Sequence, residues 1–265
     1  MAASQITRAL SVIEQLALEA QGLGLQAIAD GVPMPKSSCQ RLLNDLIQQG
    51  YVAWDAHRDR YQLTTRLAAL SQRHLSVNGV DDPAQPHLDQ LAEICGDLVR
   101  LAVVDGDRLV FAANAQGARS GLRYQAPAGE VPPLFCTATG FAWLAGFSDD
   151  DALKLIAAQG PMDPENRGPR APQSFAEILP LLQLTRERGY SQVIDMSAPG
   201  MSAIAAPVTD AAGAKVIGVL AIGGPTARLT ETLMNELAPF LQQTARDISA
   251  ISVLSDYLRR PPSAR

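Results

Sequence analysis

The strongest constraint on this chain lies near its start, where the spacing of apolar residues switches from helical to strand-like within residues 7–64. Over 7–20, Leu10, Ile13, Leu16, Ala17 and Ala20 recur every three or four positions and share one helical face. Gly22 to Gly24 break that helix, and 25–30 forms a second one that Gly31 ends. Val32, Pro33 and Pro35 bar continuation. Pro35 suits the first turn of a third helix through Ser37, Ser38, Arg41, Leu42, Leu43, Leu46 and Ile47 to Gly50. Two β-rich runs, 51–54 and 61–64, then flank the polar tip 55–60, the pattern of a hairpin. Three helices and a hairpin make a winged helix-turn-helix.

Such a module sets its third helix in the major groove, with the N-terminal residues nearest the base edges. Lys36, Ser37, Ser38, Gln40 and Arg41 supply the donors and acceptors that groove requires: Lys and Arg for phosphate or guanine, Gln for adenine, Ser for either. Arg8 on the first helix joins the candidate DNA contacts, as do His57, Arg58 and Arg60 at the hairpin tip, which reach for backbone or minor groove. The net charge of −5 argues against bulk attraction to nucleic acid. The average hides an asymmetry: residues 1–75 hold seven Lys and Arg against six Asp and Glu, hence +1, and the remainder holds −6. What matters is whether the positive groups share a face.

Residues 65–78 continue as a helix, with Leu67, Leu70 and Leu75 as its apolar points, and the Pro-rich 81–86 marks a boundary. The expected organisation is a DNA-binding module over 1–66, a helical linker over 67–82 and a second domain over 83–260. In that second domain a helix runs to about Cys95, and strands at 98–104 and 109–113 pair across an Asp-Gly turn. Further strands are expected at 121–126, 190–195, 202–209 and 215–223, and helices at 137–147, 149–158, 175–188 and 230–258. Hairpins interrupted by helices indicate an α+β domain on an antiparallel sheet, with one covered and one pocketed face.

Several function classes are excluded. With 47% hydrophobic and 18% charged residues the chain is neither disordered nor, by composition, membrane-embedded. The apolar runs 203–208 and 216–222 fall short of the roughly 18 residues of a spanning helix. The N-terminus has no apolar core of a secretion signal, so a cytoplasmic protein without membrane partners is expected. Cys39, Cys95 and Cys136 form no CxxC pair, and the histidines lack metal-ligand spacing, so neither disulfide, metal nor cofactor is expected. Catalysis would have to use Cys136 or Ser202. GlyMetSerAlaIle lacks the second glycine of a nucleophile elbow, no histidine follows His87, and no phosphate-cradling GxxxxGK exists. The expectation is therefore a non-enzyme with no catalytic residues.

Six ordered segments resemble the IclR family of bacterial transcription regulators: ThrArgAlaLeu at 7–10, ProLysSerSerCysGlnArgLeuLeu at 35–43, GlyTyrVal at 50–52, ProLeuPheCysThrAlaThrGlyPheAlaTrpLeuAla at 133–145, ArgGluArgGlyTyrSer at 186–191 and AlaIleAlaAlaProValThrAsp at 203–210. The resemblance implies a winged helix, a helical linker and a GAF-like effector-binding domain in a homodimer or homotetramer. Such an assembly reads palindromic double-stranded DNA and responds to a small-molecule effector. It places the effector beside Arg123, Tyr124, Ala138, Thr139, Asp195, Met201, Ala203, Ala221 and Gly223. Amides at the start of the helix containing Ala138, Thr139 and Gly140 favour an anionic group, to which Arg123 adds a bidentate partner. Phe135 and Phe141 stand where the family carries histidine and lysine, and of the family's acidic loop only Asp195 and Gly200 remain. Losing polar groups makes the pocket more apolar. Tyr124, Phe135, Met201 and Trp143 would suit an aromatic or larger carboxylate, although Phe141 and Trp143 equally fit a core. The alternative is a DNA-binding protein whose second domain only oligomerises.

Overall fold

The computed structural model describes residues 4–32, 34–70, 82–119, 123, 131–253, 255 and 258. They form two compact units, one up to residue 80 and one from residue 81 onward.

In the N-terminal unit, α1 (Gln5–Ala17) begins at Ser4, whose hydroxyl accepts from the Thr7 amide, and turns Val12 and Leu16 inward. Helix α2 (Leu25–Gly31) buries Ile28 and Ala29, and α3 (Lys36–Gln48) starts directly after Pro35. Val12, Leu16, Ile28, Cys39, Leu42, Leu43, Leu46, Val52 and Tyr61 share one core. Strands β1 (Val52–Asp55) and β2 (Arg60–Leu63) pair antiparallel, with Trp54 opposite Tyr61 and Asp55 opposite Arg60. These are the helices and hairpin expected from the spacing.

In the C-terminal unit, α4 (Gln85–Cys95) leads into β3 (Leu98–Asp105) and β4 (Arg108–Gln116). Next come α5 (Ala138–Leu144), α6 (Asp149–Gln159), a 3-10 turn over Pro164–Asn166 and α7 (Phe175–Arg188). Strands β5 (Ser191–Ile194), β6 (Met201–Thr209) and β7 (Val216–Pro225) precede α8 (Glu231–Ala250). The five strands form one antiparallel sheet in the order β4-β3-β7-β6-β5. Helices α4 and α8 pack Leu88, Leu91, Met234, Leu241 and Ile248 onto one face. Helices α5, α6 and α7 pack Phe141, Trp143, Ile156, Ile178 and Leu182 onto the other. Both faces are therefore covered, which explains why five consecutive residues of β7, Gly218 to Ile222, are buried and show no alternation.

Three elements depart from expectation. Strand β4 extends to Gln116, because its partner β3 continues the ladder from Asp105 back to Leu98. The last helix ends at Ala250 rather than 258. The buried Asp82 carboxylate accepts from the Ser255 hydroxyl at 2.9 Å, which ties residue 255 to the start of this unit. Helix α5 is shorter than 137–147 and is capped by Thr137, whose hydroxyl accepts from the Gly140 amide at 3.0 Å. The strand expected at 121–126 lies outside the described residues, except for Arg123, which belongs to no strand.

Candidate functional site

The third helix divides into three stripes. Cys39, Leu42, Leu43 and Leu46 face the core, while Ser37, Arg41, Asn44 and Gln48, spaced by four, three and four, form an exposed line opposite them. Between the exposed line and the hairpin, Lys36, Gln40, Asn44 and Ile47 share an open groove with Trp54 and Tyr61. Gln40 donates to the Tyr61 hydroxyl at 2.7 Å. Ser38 is half-buried on the opposite flank. Asn44 and Gln48, which the sequence reading left out, belong to the same line as Arg41, and continuing its helical spacing would have found them.

The hairpin cations are held. Asp55 accepts from the main-chain amides of His57 and Arg58, folding the tip. The Arg58 guanidinium donates to Gln21 at 2.9 Å, and that of Arg60 donates to the Gly22 carbonyl at 2.8 Å. Both side chains are thereby directed along the loop between α1 and α2, and His57 stands exposed. Arg8 is half-buried, with its Nε enclosed and without a hydrogen-bond partner.

The C-terminal unit contains a cavity of about 240 Å³ on the face of the sheet that carries α5. Small residues create it: Ala203, Ala221 and Gly223 leave room where larger side chains would fill the layer. A Cβ at position 223 would meet nothing within 4 Å. Leu98, Phe111 and Met201 make the floor apolar, while Ala138 and Thr139 close it from α5. Arg100 lies over the Phe111 ring, 3.2 Å from its centroid. Arg167 enters from the segment after α6, and its Nε is buried without a hydrogen-bond partner. Among the described lining residues there is no carboxylate.

A loop-on-loop arrangement positions Arg167. Asp195, at φ 54°, accepts on its carboxylate from the Gly200 amide at 2.7 Å and from the Thr226 hydroxyl at 3.2 Å. This shapes the β5–β6 loop, whose Ser197 and Ala198 line the cavity. The Gly168 amide donates to the Met196 carbonyl and the Arg170 amide to that of Asp195. A Cβ at position 168 would lie 2.1 Å from the Asp195 carbonyl oxygen, so this close approach needs glycine.

Of the effector residues named from the resemblance, Ala138, Thr139, Met201, Ala203, Ala221 and Gly223 line this one cavity. Asp195 is not among the lining residues and acts on the loop beside them. Arg123 is exposed, and Tyr124 lies outside the described residues. Phe135, Phe141 and Trp143 are buried in the core, so among the described lining residues Phe111 is the aromatic ring. Arg100, Phe111 and Arg167 were missed, since only tertiary pairing brings β3, β4 and the 160–172 segment together.

The nucleophiles considered for catalysis are sequestered. Burial pushes the Cys136 thiol up to about 12, only partly opposed by the charge of Arg167. The Ser202 hydroxyl, almost fully buried, is engaged with Thr226 Oγ1 at 3.0 Å. Among the described residues no group of three or more His, Cys, Asp or Glu could hold a metal ion, and no helix is long and apolar enough to cross a membrane.

Comparison with known proteins agrees with this architecture. Residues 5–56 match the IclR helix-turn-helix domain, and residues 72–250 match the family described as bacterial transcriptional regulator IclR C-terminal. The chain is 28% identical to the HTH-type transcriptional regulator KdgR of Escherichia coli K12, covering 96% of this chain and 94% of that protein. It is 30% identical to the DNA-binding transcriptional repressor YiaJ of the same organism, covering 91% and 85%. The crystal structure of an IclR transcriptional regulator from Alicyclobacillus acidocaldarius superposes with a TM-score of 0.79 at 26% identity, covering 94% of this chain and 99% of that one. With both modules matched in order and most of the chain covered, the protein belongs to the IclR family of bacterial transcriptional regulators.

Proposed function

We propose that this protein is a ligand-responsive DNA-binding regulator whose effector is a small carboxylate, with an aromatic acid suited to the Phe111 floor. The observation that carries the effector class is Arg167: a guanidinium whose Nε is buried without a partner in a cavity lined by no described carboxylate. A buried cationic donor left unpaired is costly, and an anion that completes its hydrogen bonds removes that penalty. The exposed line Ser37, Arg41, Asn44 and Gln48, with Lys36 and Gln40 beside it, is the face offered to the major groove. Arg8, Ser38, His57, Arg58 and Arg60 complete the DNA-contact set. The acting species is a homodimer or homotetramer on a palindromic operator, because a two-fold protein reads two-fold DNA. The effector shifts operator affinity only as far as it prefers one arrangement of the assembly over another.

The test is a fluorescence-anisotropy titration of the full chain on duplexes from upstream of its own gene and its neighbours, at two salt concentrations and with scrambled competitor. Saturable, salt-sensitive binding that outcompetes scrambled DNA is expected, with small carboxylates shifting the curve and raising the melting temperature. Operator binding with no response to any carboxylate would favour a second unit that only oligomerises. Failure across a genomic pool with candidate acids added would overturn the DNA-binding reading.

A further inference from the structure

Tyr61, on the second strand of the hairpin, joins the core beneath the third helix. It is 4% exposed. Its main chain exchanges two hydrogen bonds with Leu23, at 2.8 and 3.0 Å, outside the hairpin ladder. Gly22 permits this approach: a Cβ there would lie 2.3 Å from the Tyr61 carbonyl oxygen. Its ring lies 4.5 Å from that of Trp54, centroid to centroid. A phenol clamped on its backbone, packed on its ring and excluded from solvent has a fixed hydroxyl, and that hydroxyl accepts from Gln40 Nε2 at 2.7 Å. The same nitrogen lies 3.4 Å from Asn44 Oδ1.

We infer that Tyr61 is a positioning residue that decides which bases Gln40 reads; the inference rests on the third helix entering the major groove. A glutamine free to turn reads adenine with both ends, its amide donating to N7 and its oxygen accepting from N6. Here the amide nitrogen is taken up by Tyr61 and lies within reach of Asn44, so Oε1 is the end left for a base. An acceptor finds partners at adenine N6 and cytosine N4. Guanine and thymine present only acceptors along the major-groove edge, and an acceptor facing an acceptor loses a hydrogen bond. Gln40 held this way admits adenine or cytosine at its base position and rejects guanine and thymine.

The experiment is selection from a random duplex library by the full chain, with sequencing of the enriched pools, for wild type, Tyr61→Phe, Gln40→Ala and the double variant. Tyr61→Phe keeps the ring and removes only the hydroxyl, and a melting curve on each variant verifies folding. In the wild-type pool one position of each half-site should hold adenine or cytosine over guanine or thymine by roughly fivefold, the scale of one hydrogen bond. Tyr61→Phe should erase that exclusion and narrow the position toward adenine, as the released amide regains its donor end. Gln40→Ala should flatten the position, and the double variant should match Gln40→Ala. Preference unchanged in Tyr61→Phe, or affinity lost equally for every sequence, overturns the inference while leaving the DNA-binding reading intact. A wild-type pool with no enriched sequence overturns that reading and this inference with it.

Discussion

The proposed recognition face and the proposed effector cavity are built by opposite strategies. The face is convex and local: one helix, started by Pro35, carries Ser37, Arg41, Asn44 and Gln48 outward because its apolar residues point the other way. The cavity is concave and assembled from afar, with Arg100 on β3, Phe111 on β4, Ala221 and Gly223 on β7 and Arg167 on a loop more than fifty residues from either hairpin strand. The fold of a convex face survives changes to single side chains, since its exposed positions pack against no core. A cavity into which a half-buried arginine is set, its Nε enclosed, depends on the loops that keep it there.

The comparison is tested most severely by emptying one core. Leu43 is fully buried in the N-terminal unit, so Leu43→Ala should cost about 2–5 kcal/mol and abolish DNA binding. Because the two units have separate cores, carboxylate binding to the second should persist, as measured by calorimetric titration. Joint loss of both activities would show that the units depend on one another.

A crossed pair of variants then separates the sites. Arg167→Gln removes the charge and should weaken carboxylate binding by about 1.5–3 kcal/mol, the range for hydrogen bonds to charged groups, while leaving operator affinity without effector unchanged. Arg41→Ala should weaken operator binding by about 1–3 kcal/mol if it meets a base edge, and leave effector binding unchanged. Calorimetry and anisotropy on both proteins give four numbers. Equal losses in both assays for either variant would break the assignment of one role to each region.

A further effect, confined to alkaline pH, concerns the buried thiols. Burial raises Cys95 from the ordinary 9.0 to about 11 and Cys136 to about 12. The folded chain therefore keeps protons that the unfolded chain loses. Their contribution to stability is fully present below pH 9 and declines as pH rises from 9 toward 11 and 12. The melting temperature should fall over that window, and Cys136→Ala should reduce the slope. At pH 8 a thiol reagent should label Cys136 only after unfolding; rapid labelling of the native protein would show an accessible thiol.

The ability to read these two regions in advance follows the same division. The period change near residue 50 identified the winged helix, because i, i+3, i+4 spacing and a hairpin with a polar tip are properties of neighbouring residues. The family motifs located Ala138, Thr139, Met201, Ala203, Ala221 and Gly223, and these line one cavity. Arg167 lies in the Pro- and Gly-rich 160–172 segment, which has no periodicity to follow. Its placement depends on the Gly168 and Asp195 backbones meeting across the sheet end.

The amino-acid sequence by itself determined the order of helices and strands, the two modules and the chemistry available on the third helix, because each is encoded within a few turns of chain. Tertiary structure decided which groups are occupied. It tied Arg58 and Arg60 to Gln21 and Gly22, gave the Gln40 amide to Tyr61, buried Phe135 and Trp143 in the core, and left Arg167 facing a cavity. The reason is physical: a side chain's composition sets what it can bond, but the bond it makes depends on which distant backbone folding brings within about 3 Å.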